Sequence, residues 1–314
     1  MRGLVTICIA TLVLGLTSAT AEEALFSSNR LTPKGEYTTG IEGPAVDAAG
    51  NLFVVNFHQK GTVGRLRPGA AKSELFAKFP AGSIGNGIRF SRDGRMFVAD
   101  YRKHNVLVLE AGQTATRVYF HSSDFNQPND LAISADGTLY ASDPSFSHGS
   151  GQIWRIERKP DGTGSGAVML CDRKMGTTNG VDLSPDGKTL YVSESKSRQL
   201  WAYELDGSRL KSPRLVKTFD SGELDGLRTD LDGKIFVTRP TKGTVAVLSP
   251  DGNLVREIKL SATNPTNLTF GGPDGKTVYV TQADGGYIES FRVDRPGREP
   301  CLQSTDPACA ANIP

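Results

Sequence analysis

Six residues hold most of the chemistry this sequence offers: Glu42, Asn86, Asn129, Asn179, Asp225 and Asn267. Each stands eight residues before a turn glycine, at Gly50, Gly94, Gly137, Gly187, Gly233 and Gly275. All six end in a side-chain oxygen, while their identity varies among Glu, Asn and Asp. Copying one residue through a repeat does not explain that variation. Carboxylate and amide oxygens brought to one place make a site for a hard divalent cation. Glu42 and Asp225 would neutralise its charge, and Asn carbonyls, with water, would complete the shell. Oxygen-only ligands point to one Ca2+, with Mg2+, Mn2+ or Zn2+ as alternatives; the absence of His and Cys from these positions weighs against zinc.

Turn chemistry makes a rival claim. Glu42, Asn86, Asn179 and Asp225 are each followed by Gly, and Asn-Gly or Asp-Gly marks a bend in its own right. The ligand reading is preferred for Glu42, Asn179 and Asp225. Asn129, in QPND, suits either role and is kept as a ligand, whereas Asn86 and Asn267 read as rim or turn residues. Asn267-Leu268-Thr269 is also a glycosylation sequon, although a channel-facing position would not be open to that modification.

These residues can meet only if the repeat closes on itself. Six segments share one template of strand, glycine turn and strand: VDAAGNLFVVNF, FSRDGRMFVADY, ISADGTLYASDP, LSPDGKTLYVSES, TDLDGKIFVTRP and GGPDGKTVYVTQ. Their turn glycines are 44, 43, 50, 46 and 42 residues apart. Asp-Gly between alternating apolar runs is a hairpin signal, because the turn needs a positive φ that Gly adopts without steric cost. Third strands follow, as in QIWRIE and TVAVLS. This period, with no sustained helical periodicity, predicts an all-β six-bladed β-propeller with four-stranded blades over residues 22–296. The regular period weighs against stacked β-sandwiches. Ala24–Leu31 is the candidate closing strand for the last blade. The first strand of each blade lines the central channel, so equivalent positions form a ring around the axis. Loops after the second strands then rim that ring, and they carry His58, Tyr101–His104, Asp143–His148 and Arg239–Lys242.

The rest of the chain sets the context. Arg2, the apolar run Leu4–Leu16 and Ser18-Ala19-Thr20-Ala21 predict a cleaved signal peptide over residues 1–21, and hence a periplasmic or secreted protein with no membrane attachment after cleavage. A net charge of +2 without a basic stripe argues against nucleic acid as a partner. In an oxidising compartment Cys301 and Cys309 could form a disulfide in the tail at 297–314, leaving Cys171 as a buried free thiol. No G-x-S-x-G elbow, H-E-x-x-H, Cys-x-x-Cys or P-loop is present.

The stretches EGPAVDAAGNLFV (42–54), NQPNDLAISADGTLYASDPSF (126–146), TNGVDLSPDGKTLYVSES (178–195), LDGLRTDLDGKIFV (224–237) and TNLTFGGPDGKTVYVTQ (266–282) resemble successive signatures of the senescence-marker-protein/gluconolactonase/luciferin-regenerating-enzyme family. The resemblance covers nearly the whole chain after residue 21. It implies a six-bladed propeller with one catalytic divalent cation on its axis, and in many members hydrolysis of sugar lactones. It also implies Glu42, Asn179 and Asp225 as metal ligands, Asn129 as a substrate or metal contact, and Asp130 as a residue near the reaction centre. Asn86 in IGNGIRFSRDG and the DYRKH stretch with His104 resemble the gluconolactonase branch. Gln127 stands where some animal members have a substrate-gripping Arg, so their substrate preference need not carry over.

The expected activity is therefore hydrolysis of a small lactone. The cation would polarise the carbonyl, with Asp225, or Asp130 as second candidate, orienting or deprotonating the attacking water. Asn86, Asn129, His104 and His148 are the candidate substrate contacts. Phosphotriester hydrolysis on the same scaffold, and a non-catalytic secreted propeller binding a sugar or a protein, are the alternatives. A monomer or dimer is expected.

Overall fold

A computed structural model describes residues 24–304 and Cys309. The signal peptide expected at residues 1–21 lies outside the described residues. The six repeats fold as six sheets, antiparallel apart from one edge pair in blade four. Blade one is Tyr37–Val46, Leu52–Phe57, Thr62–Leu66 and Glu74–Lys78, hydrogen-bonded in that order. The next four begin at the inner strands Gly85–Phe90, Leu131–Ile133, Thr178–Leu183 and Leu227–Thr229. Blade six begins at Pro265–Gly271, and Asn29–Arg30 pairs with Tyr287–Arg292 to supply its outermost strand, which closes the ring from the other end of the chain. Blade four departs from four strands, because the short strand Leu170–Cys171 runs parallel to Arg209–Thr218 at its edge.

Each inner hairpin is built by its turn glycine. Gly50, Gly94, Gly137, Gly187, Gly233 and Gly275 all have φ between 68° and 87°. Each donates its N–H to the carbonyl three residues earlier, as Gly187 does to Ser184 at 2.9 Å. The apolar run after each turn is continuous because both faces of that strand are covered. Phe53 and Val55 pack toward blade two, whereas Leu52 and Val54 pack toward blade six. The core is consequently six apolar clusters, one between each pair of neighbouring blades, rather than one central cluster.

Near the axis the blades are held by backbone. Gly87 N–H donates to Asn129 O at 2.8 Å, Gly180 N–H to Asp225 O at 3.2 Å and Gly226 N–H to Thr266 O at 2.9 Å. The glycines after Asn86, Asn179 and Asp225 thus do not form free-standing bends; they provide clearance. A Cβ on Gly180 would lie 2.4 Å from Asp225 O, and one on Gly226 would lie 2.0 Å from Asn267 Oδ1. Gly180→Ala is expected to destabilise the protein by about 1–3 kcal/mol through this overpacking. A denaturant titration checks it, and an unchanged midpoint would refute the clearance role.

The chain after blade six turns beneath the propeller and forms a short helix, Arg298–Gln303, in the segment expected to be a C-terminal tail. Cys301 is disulfide-bonded to Cys309, and Cys171 is free and partly buried. Among the described residues no helix is long and apolar enough to cross a membrane.

Candidate functional site

The inner strands lose their regular register where the ring residues sit. Shifts fall between Gly85 and Ile88, Thr178 and Val181, and Pro265 and Leu268, which bracket Asn86, Asn179 and Asn267. Glu42 lies between two such shifts in its own strand. Asn129 and Asp225 stand just ahead of the short strands Leu131–Ile133 and Leu227–Thr229. Irregularities of this kind re-aim side chains, and here they turn the oxygens toward the axis.

Five of the six, Glu42, Asn86, Asn129, Asn179 and Asp225, line one cavity of about 410 Å³. Asn267 does not. It is buried under the ring, where its Nδ2 donates to Glu42 Oε2 at 3.1 Å, and Gly43 N–H donates to the same oxygen at 2.7 Å. Asn267 therefore holds a ring carboxylate, a role in which a rim or turn reading has no part. Asn179 Nδ2 donates to Ser195 Oγ at 2.9 Å, which leaves its Oδ1 without a partner among the described residues.

Three amide oxygens, Asn86 Oδ1, Asn129 Oδ1 and Asn179 Oδ1, are buried and make no hydrogen bond within the described residues. A buried acceptor without a donor is costly, so three around one cavity form a place for a positive charge. The carboxylates have the same requirement. Burial pushes the Glu42 carboxyl up to about 7, helped by the negative charge of Asp130 and opposed by its hydrogen bonds and by Arg228. Asp225 is raised well above the usual carboxylate range by burial and by the charges of Glu42 and Asp130, with the Asn179 side chain opposing. Two reluctant carboxylates and three orphaned carbonyl oxygens fit a divalent cation of oxygen preference. Among the described residues no three of His, Cys, Asp and Glu gather as metal ligands, so any such site depends on the amides.

The remaining sequence candidates fall elsewhere. Asp130 is fully buried and absent from the cavity wall. Burial alone would raise its carboxyl, but the guanidiniums of Arg228 and Arg89, at 3.0 and 2.9 Å, outweigh it and hold the group below its ordinary range. Such a group is a fixed negative charge rather than a proton acceptor for water. His104 and His148 do not line the cavity; His148 is exposed, with Nδ1 2.8 Å from Ser145 Oγ. The walls are supplied instead by Asn56, Lys60, Tyr101, Gln127, Phe146 and Glu223. Asp143 orders the loop that carries Gln127 and Asn129, accepting the N–H groups of Asn126 at 3.0 Å and Gln127 at 2.6 Å.

Sequence reasoning missed Ser195 although a signal was available. Asn179 stands eight residues before Gly187 and Ser195 eight after it, so the hairpin brings the two near each other at its open end. Ser195→Ala frees the Asn179 amide to rotate and, if these oxygens hold a divalent cation, is expected to weaken its binding roughly 10–100-fold, with little change in melting temperature. Calorimetric titration checks this, and unchanged affinity would show that the hydroxyl does not orient the amide.

Residues 41–284 match the family described as the SMP-30/gluconolactonase/LRE-like region. A gluconolactonase from Zymomonas mobilis is 26% identical over 276 residues, covering 76% of this chain and 75% of the relative. A diisopropyl-fluorophosphatase from Loligo vulgaris is 25% identical over 287 residues, covering 83% and 91%. The solved structure of a calcium-binding protein, regucalcin, from Agrobacterium tumefaciens superposes with a TM-score of 0.68 at 19% identity, covering 87% of this chain and 98% of that one. With the propeller and its axial oxygen cluster in place, the match over most of the described chain assigns the protein to the SMP-30/gluconolactonase/LRE-like family.

Proposed function

We propose that the protein is a cation-dependent lactonase that opens a sugar lactone. The observation that carries this is the convergence of three unpartnered amide oxygens with Glu42 and Asp225 on one cavity. Relatives named gluconolactonase and pentonolactonase support lactone hydrolysis as the activity. Glu42, Asn129, Asn179 and Asp225 would hold the cation, with Asn86 beside them. Calcium fits best, since every donor is oxygen. When bound, a divalent cation supplies Lewis-acid polarisation of the lactone carbonyl.

The chain's own residues do the rest. Asp225 keeps some exposure to the cavity, which places its carboxylate where it could orient an attacking water or accept its proton. Asn267 and Gly43 fix Glu42 on one oxygen, and Ser195 fixes Asn179, so these groups need little reorganisation during reaction. Tyr101, Gln127, Lys60 and Glu223 present polar groups to the ring hydroxyls of a monosaccharide lactone, while Phe146 offers apolar surface to its carbon face. Export to an oxidising compartment is part of the same reading, and the Cys301–Cys309 disulfide supports it.

A panel of aldonolactones, acyl lactones and phosphotriesters, followed with a pH indicator with and without chelator, tests the proposal. Calcium-dependent turnover of aldonolactones is expected, and turnover surviving complete chelation would refute it. The fluorophosphatase relative supports phosphotriester hydrolysis as a second reading, because the same cavity and cation could polarise a phosphoryl oxygen. Turnover of the phosphotriesters alone would establish that reading instead.

A further inference from the structure

The C-terminal segment reaches all six blades. Gln303 Nε2 donates to Val46 O in blade one at 2.9 Å, and Arg92 Nε of blade two donates to Leu302 O at 3.2 Å. Arg298 Nη2 donates to Ile133 O of blade three at 2.9 Å, and its Nη1 lies 3.7 Å from Asp182 Oδ1 of blade four. Leu231 of blade five donates its N–H to Pro296 O at 3.0 Å, and Thr269 Oγ1 of blade six lies 3.3 Å from Glu299 Oε2. The segment thus closes the channel at the end away from the cavity.

Glu299 is the critical insertion. Its Oε1 lies 2.6 Å from Arg89 Nε and its Oε2 lies 3.4 Å from Arg228 Nε. The other side of each guanidinium is taken by Asp130. The inner channel therefore stacks, from the cavity inward, the oxygen ring, Asp130, the two arginines of blades two and five, and Glu299. Together with the Arg298–Asp182 pair, three buried acids match three buried bases. Without Glu299 two guanidiniums would share Asp130, leaving an uncompensated positive charge beneath the ring. These charges lie directly under the ring, because Arg89 and Arg228 stand three residues along the chain from Asn86 and Asp225, and Asp130 directly follows Asn129.

We propose that Glu299 is a positioning residue for the ring: by neutralising Arg89 and Arg228 it keeps the field beneath Glu42 and Asp225 permissive for a divalent cation. The proposal rests on the cation reading above and adds that the C-terminal segment is part of the site's electrostatics as well as of its packing. Removing a packing element would lower stability whichever charge is deleted. Removing a charge-balancing element predicts opposite signs for opposite charges.

Calorimetric calcium titration of the full chain separates the two. Glu299→Gln keeps the shape and deletes the negative charge, and is expected to weaken calcium binding about tenfold or more, as Coulomb's law gives for a unit charge at partly buried separations. Arg89→Gln deletes a positive charge and is expected to bind calcium at least as tightly as wild type, even as its melting temperature falls. The double variant Arg89→Gln/Glu299→Gln restores the balance and is expected to return affinity to within about threefold of wild type. Unchanged affinity in Glu299→Gln, weakened affinity in Arg89→Gln, or no recovery in the double variant would each overturn the proposal. If Glu299→Gln does not fold, the sign of the Arg89→Gln effect and the double variant still decide. A wild-type chain that binds no calcium refutes the cation reading itself, and this proposal with it.

Discussion

Asp225→Asn is expected to abolish calcium binding in the micromolar range and to lower lactone turnover on the order of a thousandfold, while raising the melting temperature of the cation-free protein. The two effects have one origin. Asp225 and Glu42 are the two carboxylates among the six ring residues, so under the proposed reading the substitution would leave a cation with half its compensating charge and the attacking water without its proton acceptor. In the absence of a cation, however, the same carboxylate is held where burial, Glu42 and Asp130 all disfavour its charged form. Replacing it with a neutral amide of the same shape removes that repulsion, as expected of a site whose function is maintained at some cost in stability. Thermal melts with and without chelator, beside calcium titration, check this. A variant that still turns over lactone at near wild-type rates, or a cation-free melting temperature that falls, would show that Asp225 is structural.

The pH dependence of the cation-free and calcium-bound proteins is expected to run in opposite directions between about pH 5 and 8. Glu42 titrates near 7 in the folded chain against about 4.3 for an unfolded glutamate. The folded state therefore binds more protons than the unfolded state in that window, so stability from this group is complete below about 4.3 and is lost as pH rises through 7. Asp225, raised well above its ordinary value, and Asp230, pushed by burial to about 6, contribute with the same sign. Cation-free protein should thus melt at a higher temperature at pH 5.5 than at pH 8. A calcium ion held by Glu42, as proposed, would have to displace its proton, so affinity should fall up to about tenfold per pH unit below 7, with proton release on binding. Titrations at pH 5.5, 6.5 and 7.5 in buffers of different ionisation heat measure both. Calcium affinity that does not change with pH would remove Glu42 from the ligand set.

The sequence alone determined the elements and their number, because a hairpin is local. An Asp-Gly turn between two apolar runs specifies φ and alternation within a dozen residues, and six such units at a regular spacing leave a closed propeller as the economical way to bury both faces of every strand. The same regularity made Glu42, Asn179 and Asp225 readable as one group, since equivalent positions in a closed ring must share the axis. Only the tertiary structure decided what breaks that symmetry. Asp130, adjacent to a ring residue, turns away from the cavity because Arg89 and Arg228, from two other blades, claim its oxygens. Asn267 serves Glu42, a residue 225 positions away, through contact between the first and last blades. The glycines after Asn179 and Asp225 look like turn residues in the chain and are in fact clearance for the next blade. Glu299 has no motif at all. Its role comes from the channel it closes, where the net charge depends on side chains from several blades, and a repeat read one unit at a time cannot express such a sum.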